Sequence, residues 1–519
     1  MSRRKKLTHA LISGYLHIGV TAVYSLVSIS LALDYISADQ FGLWQVATAV
    51  TGYLLLLDFG MTGSVARILI DHKDHPEKGA YGSAIKIGAV VFLIQGGLIA
   101  VVGTTLSFWL PHWLNVPPQF QHALFILIAG QCLLQGLFFV TRIFWNMAHA
   151  HQRFDLYNYS QIGMLIVNFA SLWIALQAGL GIYSILAASA AGSVFAFSYG
   201  CIMAVRCRFL PHRGAWGRFD SHLFREIFLF GADSFLLAVG QQLVSASQVL
   251  IIGHLLGLGA AAVWTVATKP LMLAQQLVQR IMSFSSAALS EMIVRGERER
   301  LLRRFRDVVI MAVSVAILIG GGIALCNDSF LEVWLRNRNI LSDIRATWSS
   351  WNNFLLAIWL VVDASTRNHV GVTGLTKQIG RMRFVYFGEG VLFVTAAILV
   401  APHFGFGGII TASIVANLLC SGFFGVRRTS GYFHFPVREL VLHWMAGPVI
   451  CFLLLAAVLL PVHFLTAPLA PLPRLLANAV IAGGFGLWFL WQFSLNGDLR
   501  AEAGQAWSKI LLQLRQRAE

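Results

Sequence analysis

Charged side chains make up only 12% of this 519-residue sequence, about half the share carried by water-soluble domains. So thin a polar covering excludes an ordinary soluble fold, and the 57% hydrophobic content and mean hydropathy of +0.70 agree. Cysteine is sparse as well. The six present include no C-x-x-C pair, which excludes a thiolate zinc site or redox centre of the usual spacing. Cys132, Cys201, Cys326, Cys420 and Cys451 fall in apolar runs and read as small packing residues, while Cys207 lies in a loop. Proline is limited to 13 positions. Alternating segments of about ten residues, the mark of a membrane barrel, are missing. There is no glycine-rich phosphate loop and no nucleophile beside a base. Asp58-Phe59-Gly60 spells a kinase triplet by accident, inside an apolar run. His149 and His151 lack further ligands nearby, so neither a metal nor a cofactor is expected.

What the sequence does have is long apolar runs at nearly even spacing. A helix needs about 20 apolar residues to cross the hydrocarbon, which yields about fourteen spans. They are expected near 10–36, 41–66, 83–110, 119–146, 157–178, 180–205, 227–253, 258–286, 307–327, 346–370, 384–402, 405–426, 441–462 and 474–497. The fold class is therefore an all-α polytopic membrane protein. The first run follows a basic segment but lacks an A-x-A type cleavage site, so it reads as a retained helix rather than a signal peptide.

Lys and Arg set the orientation, because cationic loops resist translocation. Arg3, Arg4, Lys5 and Lys6 begin the chain, and Lys73, Lys78 and Lys86 follow the second span. Arg206, Arg208, Arg213 and Arg218, then Arg295 to Arg306, then Lys377, Arg381, Arg383, Arg427 and Arg428 continue on the same side. The other loops hold few cations, Arg336, Arg338, Arg345 and Arg474 being the exceptions. Both termini are expected in the cytoplasm. The net charge of +15 thus reads as topology and contact with anionic membrane lipids, not as nucleic-acid binding.

An internal repeat organises the runs. Trp44-Gln45-Val46-Ala47-Thr48-Ala49 returns as Trp264-Thr265-Val266-Ala267-Thr268-Lys269, and Thr141-Arg142 returns as Thr366-Arg367. Six spans separate the members of each pair, as parallel repeats about an axis along the membrane normal require. Two six-helix lobes, 1–206 and 207–430, are expected, with an extra helix pair at 431–497. An amphipathic tail at 498–519 carries Trp507, Ile510, Leu511 and Leu514 on one stripe.

Gly14 and Tyr15, Phe41-Gly42-Leu43-Trp44, and Tyr53 with Leu57-Asp58-Phe59-Gly60 give the first seventy or so positions a recognisable pattern. It resembles the polysaccharide-transport branch of the multidrug, oligosaccharidyl-lipid and polysaccharide exporter superfamily, which includes the O-antigen flippases of bacterial inner membranes. The resemblance implies an inner-membrane protein for surface polysaccharide synthesis. It would flip an undecaprenyl-diphosphate-linked oligosaccharide by alternating access between lobes, with glycan-assembly enzymes as further partners.

The residues support a transport path on their own account. Ionisable groups within hydrocarbon are costly and usually face a wet or protein-lined interior. Lys269, Gln276 and Arg280 share a helical face, as do Gln131, Gln135 and Arg142. Cations suit a diphosphate and amides suit sugar hydroxyls, so these six are the candidate substrate-binding residues. The structural alternatives are snorkelling of Arg142 to headgroups and pairing of Lys269 with Asp58 or Asp233. Asp58, Asp233, Asp363 and Arg367 are the candidates for ion coupling or gating. Their bland counterparts are hydrogen-bonded carboxylates and, for the last two, an intrahelical pair. Glu389 reads as interfacial. Two other functions fit the class: an ion-coupled multidrug exporter, and a membrane polymerase or ligase of lipid-linked sugars. The latter needs an external acidic site, for which the short stretch 327–345 offers Asp328, Glu332 and Asp343.

Overall fold

The computed structural model describes residues 3–73, 79–336, 338–376, 380–495, 497, 499–501 and 504. The side chains at 3–8, 10–11, 222, 226–234, 287, 373 and 440–441 fall outside that description. Lys78, Lys377 and nearly all of the expected amphipathic tail lie outside it too. The described residues form helices and no strands.

In chain order the main helices are α1 (Arg3–Tyr35), α2 (Ala38–Leu54), α3 (Met61–His72), α4 (Ala80–Trp113), α5 (Pro118–Ala150), α6 (Phe154–Gln177) and α7 (Ser184–Arg206). Next come α8 (Ser221–Ser245), α9 (Ser247–Leu255), α10 (Leu258–Ala267), α11 (Lys269–Arg295), α12 (Arg298–Trp334) and α13 (Ile340–Thr347). The last are α14 (Ser350–Leu375), α15 (Met382–Asn417), α16 (Phe423–Phe433), α17 (Ala446–Thr466) and α18 (Pro471–Phe489). The chain packs as two compact units, one of residues 1–265 with 338–343, the other of 266–337 with 344–519.

Eleven helical segments are long and apolar enough to cross a membrane among the described residues. One of them, Met382–Phe433, runs for 52 residues and bends where Gly405 leaves helical geometry (φ 54°, ψ −137°), so it is longer than one crossing. The runs expected at 258–286 and 346–370 are helical too, as α10–α11 and α14, but are not among the eleven. A break at Thr268 leaves α10 apolar but only 10 residues long, and polar residues such as Lys269, Gln276, Asp363 and Arg367 dilute the apolar character of α11 and α14.

Local chemistry sets several ends. Ser37 caps α2 in a reciprocal box, its hydroxyl accepting from the Gln40 amide (3.2 Å) while Gln40 Oε1 accepts from the Ser37 amide (3.0 Å). Pro118 and Pro471 occupy first turns, where a missing N–H costs nothing. Gly296 ends α11 in left-handed geometry (φ 71°), so the arginine-rich stretch divides between the end of α11 and the start of α12.

Within the first unit, α4 and α5 cross at paired glycines. A Cβ on Gly96 would meet the Gly136 carbonyl oxygen at 2.3 Å, and one on Gly136 would meet that of Gly96 at 2.5 Å. Membrane helices gain little from the hydrophobic effect against lipid, so such close backbone approach is a main source of their packing energy. Gly42 does the same in α2, where a Cβ would sit 1.9 Å from the Leu258 carbonyl oxygen.

Two expected spans are broken rather than continuous. The second ends its regular helix at Leu54, tightens to a 3-10 turn over Leu55–Asp58, passes through Phe59 (φ 46°) and Gly60 (φ 72°), and restarts at Met61. The eighth breaks at Thr268, between α10 and α11. Pro270 contributes there, since it lacks an N–H and its ring crowds the carbonyl four residues back.

Candidate functional site

In the first unit the break in the second span builds a polar centre. The 3-10 turn presents the Asp58 carboxylate, and α3 returns Thr62 to it, the Thr62 hydroxyl donating to Asp58 Oδ1 at 2.5 Å. Arg142, from α5, donates through Nη1 to Asp58 Oδ1 (3.1 Å) and to Thr62 Oγ1 (2.8 Å). Its guanidinium carbon lies 3.8 Å from the Phe139 ring centroid, a cation–π contact one turn back along α5. The arginine therefore turns inward to a carboxylate and does not snorkel. Gln95, buried on α4, donates to the Asp58 carbonyl at 2.6 Å. That bond serves a carbonyl near the helix break, the condition under which broken helices survive in a membrane. Phe59, strained for a residue with a side chain, is held against Phe235 with ring centroids 4.9 Å apart.

Gln131 and Gln135 are half-buried on the same face of α5 as Arg142. Gln131 Oε1 accepts from Thr51 at 3.2 Å, and Tyr53 is hydrogen-bonded to Ser247. Sequence reasoning passed over Thr62 and Gln95. Glutamine within an apolar run, as at Gln95, is the signal that could have found one of them.

In the second unit Lys269 is the first residue of α11 and is half-buried. It has no ion-pair partner among the described residues; of the two partners suggested for it, Asp58 is engaged by Arg142 and Thr62, and the Asp233 side chain lies outside the description. Gln276 and Arg280 are exposed. A neighbouring face of the same helix, carrying Gln279, Ser283 and Ser286, lines a cavity of about 390 Å3 together with Asp363, Arg367 and Asn368 of α14. Arg367 Nε donates to the buried Asp363 carboxylate at 2.5 Å, closing the i,i+4 pair. Thr366 extends the polar chain to Asn417 (2.8 Å), and Asn417 reaches Glu389 (3.4 Å). Glu389, read as interfacial, is buried within the protein. The π turn at Leu418–Gly422 offers it the Ser421 amide at 3.0 Å. Asp233 lies among the side chains outside the description. Of the expected site residues the structure thus joins Asp58 to Arg142 and Asp363 to Arg367. Arg142 belongs to the first unit, and Lys269 and Arg280 to the second.

The acidic stretch at 327–345 is largely spoken for. Asp328 accepts from Asn353 (2.6 Å), and Glu332 pairs with Arg345 (2.9 Å). It is no open loop either, because α12 runs on to Trp334 and α13 begins at Ile340.

Residues 11–288 match the family model described as polysaccharide biosynthesis protein. No curated protein is similar to the chain in sequence. Among solved structures, an inward-facing multidrug resistance transporter of the MATE family superposes with a TM-score of 0.67 at 11% identity, over 79% of this chain and 94% of the other. The lipid II flippase MurJ, in an inward closed conformation, gives 0.67 at 12% identity, over 93% of this chain and 98% of the other. A transporter of the same superfamily from Pyrococcus furiosus gives 0.63 at 10% identity, over 84% and 96%.

Proposed function

Since the chain belongs to the polysaccharide biosynthesis family, within the multidrug, oligosaccharidyl-lipid and polysaccharide exporters, we propose that it flips a lipid-linked oligosaccharide across the bacterial inner membrane. The carrier in this reading is undecaprenyl diphosphate, the cycle is alternating access, and the product feeds surface polysaccharide such as O-antigen. Two lobes of six helices, 1–206 and 207–430, the extra pair at 431–497 and cytoplasmic termini are part of the same proposal.

The observation that carries it is Lys269. It is the first residue of α11, directly after the break at Thr268, half-buried and without a carboxylate partner among the described residues. An unpaired cation in an apolar run, where burial at the bilayer centre costs about 2.5–3.5 kcal/mol, suits an anion that comes and goes, and a diphosphate is one. Gln276, Arg280, Gln131, Gln135 and Arg142 would serve the sugar and phosphate oxygens along the path, Arg142 after release from Asp58. The pairs Asp58–Arg142 and Asp363–Arg367 then become the gates or ion-coupling groups, with Asp233 a further candidate.

Support also comes from extent, the lipid II flippase covering more of this chain than the multidrug transporter does. Deleting the gene and extracting lipid-linked saccharides tests the reading. Unflipped oligosaccharide should accumulate on the cytoplasmic leaflet. Normal surface glycan in the deletion strain would overturn it, and raised drug sensitivity in its place would favour the multidrug alternative.

A further inference from the structure

A second polar cavity, of about 900 Å3, lies in the second unit at the ends of α11, α12, α15 and α16. It is on the side of the arginine-rich connections and shares no residue with the polar centres above. Arg298, Arg381, Arg427 and Arg428 line it together with His434, and among the described residues its lining contains no carboxylate. The arginines come from three separate segments: the first turn of α12, the residue before α15, and α16. Neighbouring arginines are neutralised locally, Arg295 by Glu291 (2.5 Å) and Arg300 by Glu297 (3.0 Å). Arg298 is instead fixed along the wall, donating to the Tyr432 carbonyl with its guanidinium carbon 5.8 Å from the Tyr432 ring centroid.

Helix ends do not explain the sign of this cavity. Two N-termini, of α12 and α15, and two C-termini, of α11 and α16, meet there, so their dipoles largely offset. The arginine side chains decide it. The remaining wall is apolar, with Ile293, Leu301 and Phe424. The volume lies within the roughly 300–1,000 Å3 of small-molecule sites and far exceeds what one simple anion fills.

We propose that this cavity binds a phosphate-bearing headgroup. Arg381 and Arg427 grip the phosphoryl oxygens through paired N–H groups, and the apolar wall takes the attached organic part. Two sources share that chemistry: an anionic phospholipid and the diphosphate of a lipid-linked saccharide. The site goes beyond the flippase reading and stands without it.

The test uses full-length protein in phosphatidylcholine nanodiscs, with Arg427→Gln and Arg381→Gln/Arg427→Gln beside the control Arg206→Gln/Arg208→Gln. All are scored on protein that elutes as a single species. Calorimetric titration with inorganic pyrophosphate probes the diphosphate source, and native mass spectrometry after addition of phosphatidylglycerol probes the lipid source. Loss of both cavity arginines should weaken one of these ligands at least about tenfold, as expected for charge-assisted bonds, with the control unchanged. Pyrophosphate weakened assigns the diphosphate, and phosphatidylglycerol alone weakened assigns the phospholipid. If both ligands bind the cavity variants as they bind the control, or bind none of the proteins, the proposal fails. Arg427→Gln, a single exposed change, decides the matter if the double variant does not fold.

Discussion

Arg142 and Asp58 are 84 residues apart in the chain and 3.1 Å apart in the structure, with Thr62 bonded to both. Each keeps about a fifth of its side chain exposed (22% and 20%), so the pair is worth less than a fully buried one. Losing one partner of a fully buried pair costs about 3–5 kcal/mol, and here about 1–3 is expected. A thermal-unfolding cycle of Asp58→Asn, Arg142→Gln and the double variant, in detergent, should show the double losing clearly less than the sum of the singles. Strict additivity would mean that the contact does not hold the break together.

Gly96 and Gly97 are adjacent in α4 yet should respond oppositely. Alanine at 96 drives a methyl into the Gly136 carbonyl oxygen, whereas at 97 there is nothing within 4 Å. Overpacking of that kind costs about 1–3 kcal/mol. Gly97→Ala should be neutral or gain a few tenths, roughly up to the helix preference of alanine over glycine. Melting temperatures of the two purified variants decide it, and equal effects would contradict the crossing geometry.

Gly60 holds φ at 72° where the second span restarts. An L side chain there costs about 1–2 kcal/mol. Gly60→Ala should lower stability, and Gly63→Ala, in open space on the same helix, should not. Matching melting curves for the two would argue that the break is not required.

Lys269 should tolerate arginine better than alanine, since arginine keeps the charge while changing its shape. Lys269→Glu should abolish surface glycan with normal protein abundance in the membrane, measured by glycan staining and immunoblot. Wild-type glycan from Lys269→Glu would remove its assigned role.

Much of this was legible because bilayer solvation is unforgiving. Apolar runs near 20 residues have one stable form in hydrocarbon, so the helical membrane class follows from composition. The i,i+4 spacing of Asp363 and Arg367 likewise made their contact readable, since a helix dictates it. The breaks were not readable. Leu55 to Gly60 is as apolar as the turns around it, and the left-handed Phe59 depends on Phe235 and Gln95, both distant in sequence. For the same reason Lys269 was the cation weighed for Asp58, and only the packing of α5 selects Arg142. The arginine cavity was hidden differently. Its cations were visible as orientation signals, but nothing local shows that three segments bring them to one wall.

The central claim is translocation of a diphosphate-linked saccharide. Proteoliposomes of purified protein, loaded symmetrically with fluorescent undecaprenyl-diphosphate oligosaccharide, measure it directly through the fraction open to a membrane-impermeant quencher. Without flipping, only the outer-leaflet half is quenched. Wild-type protein should expose nearly all of the label under a driving ion gradient, and Lys269→Glu should leave about half protected, as empty liposomes do. Wild-type vesicles that retain the same protected fraction as empty ones, across proton and sodium gradients of either sign, would contradict the account.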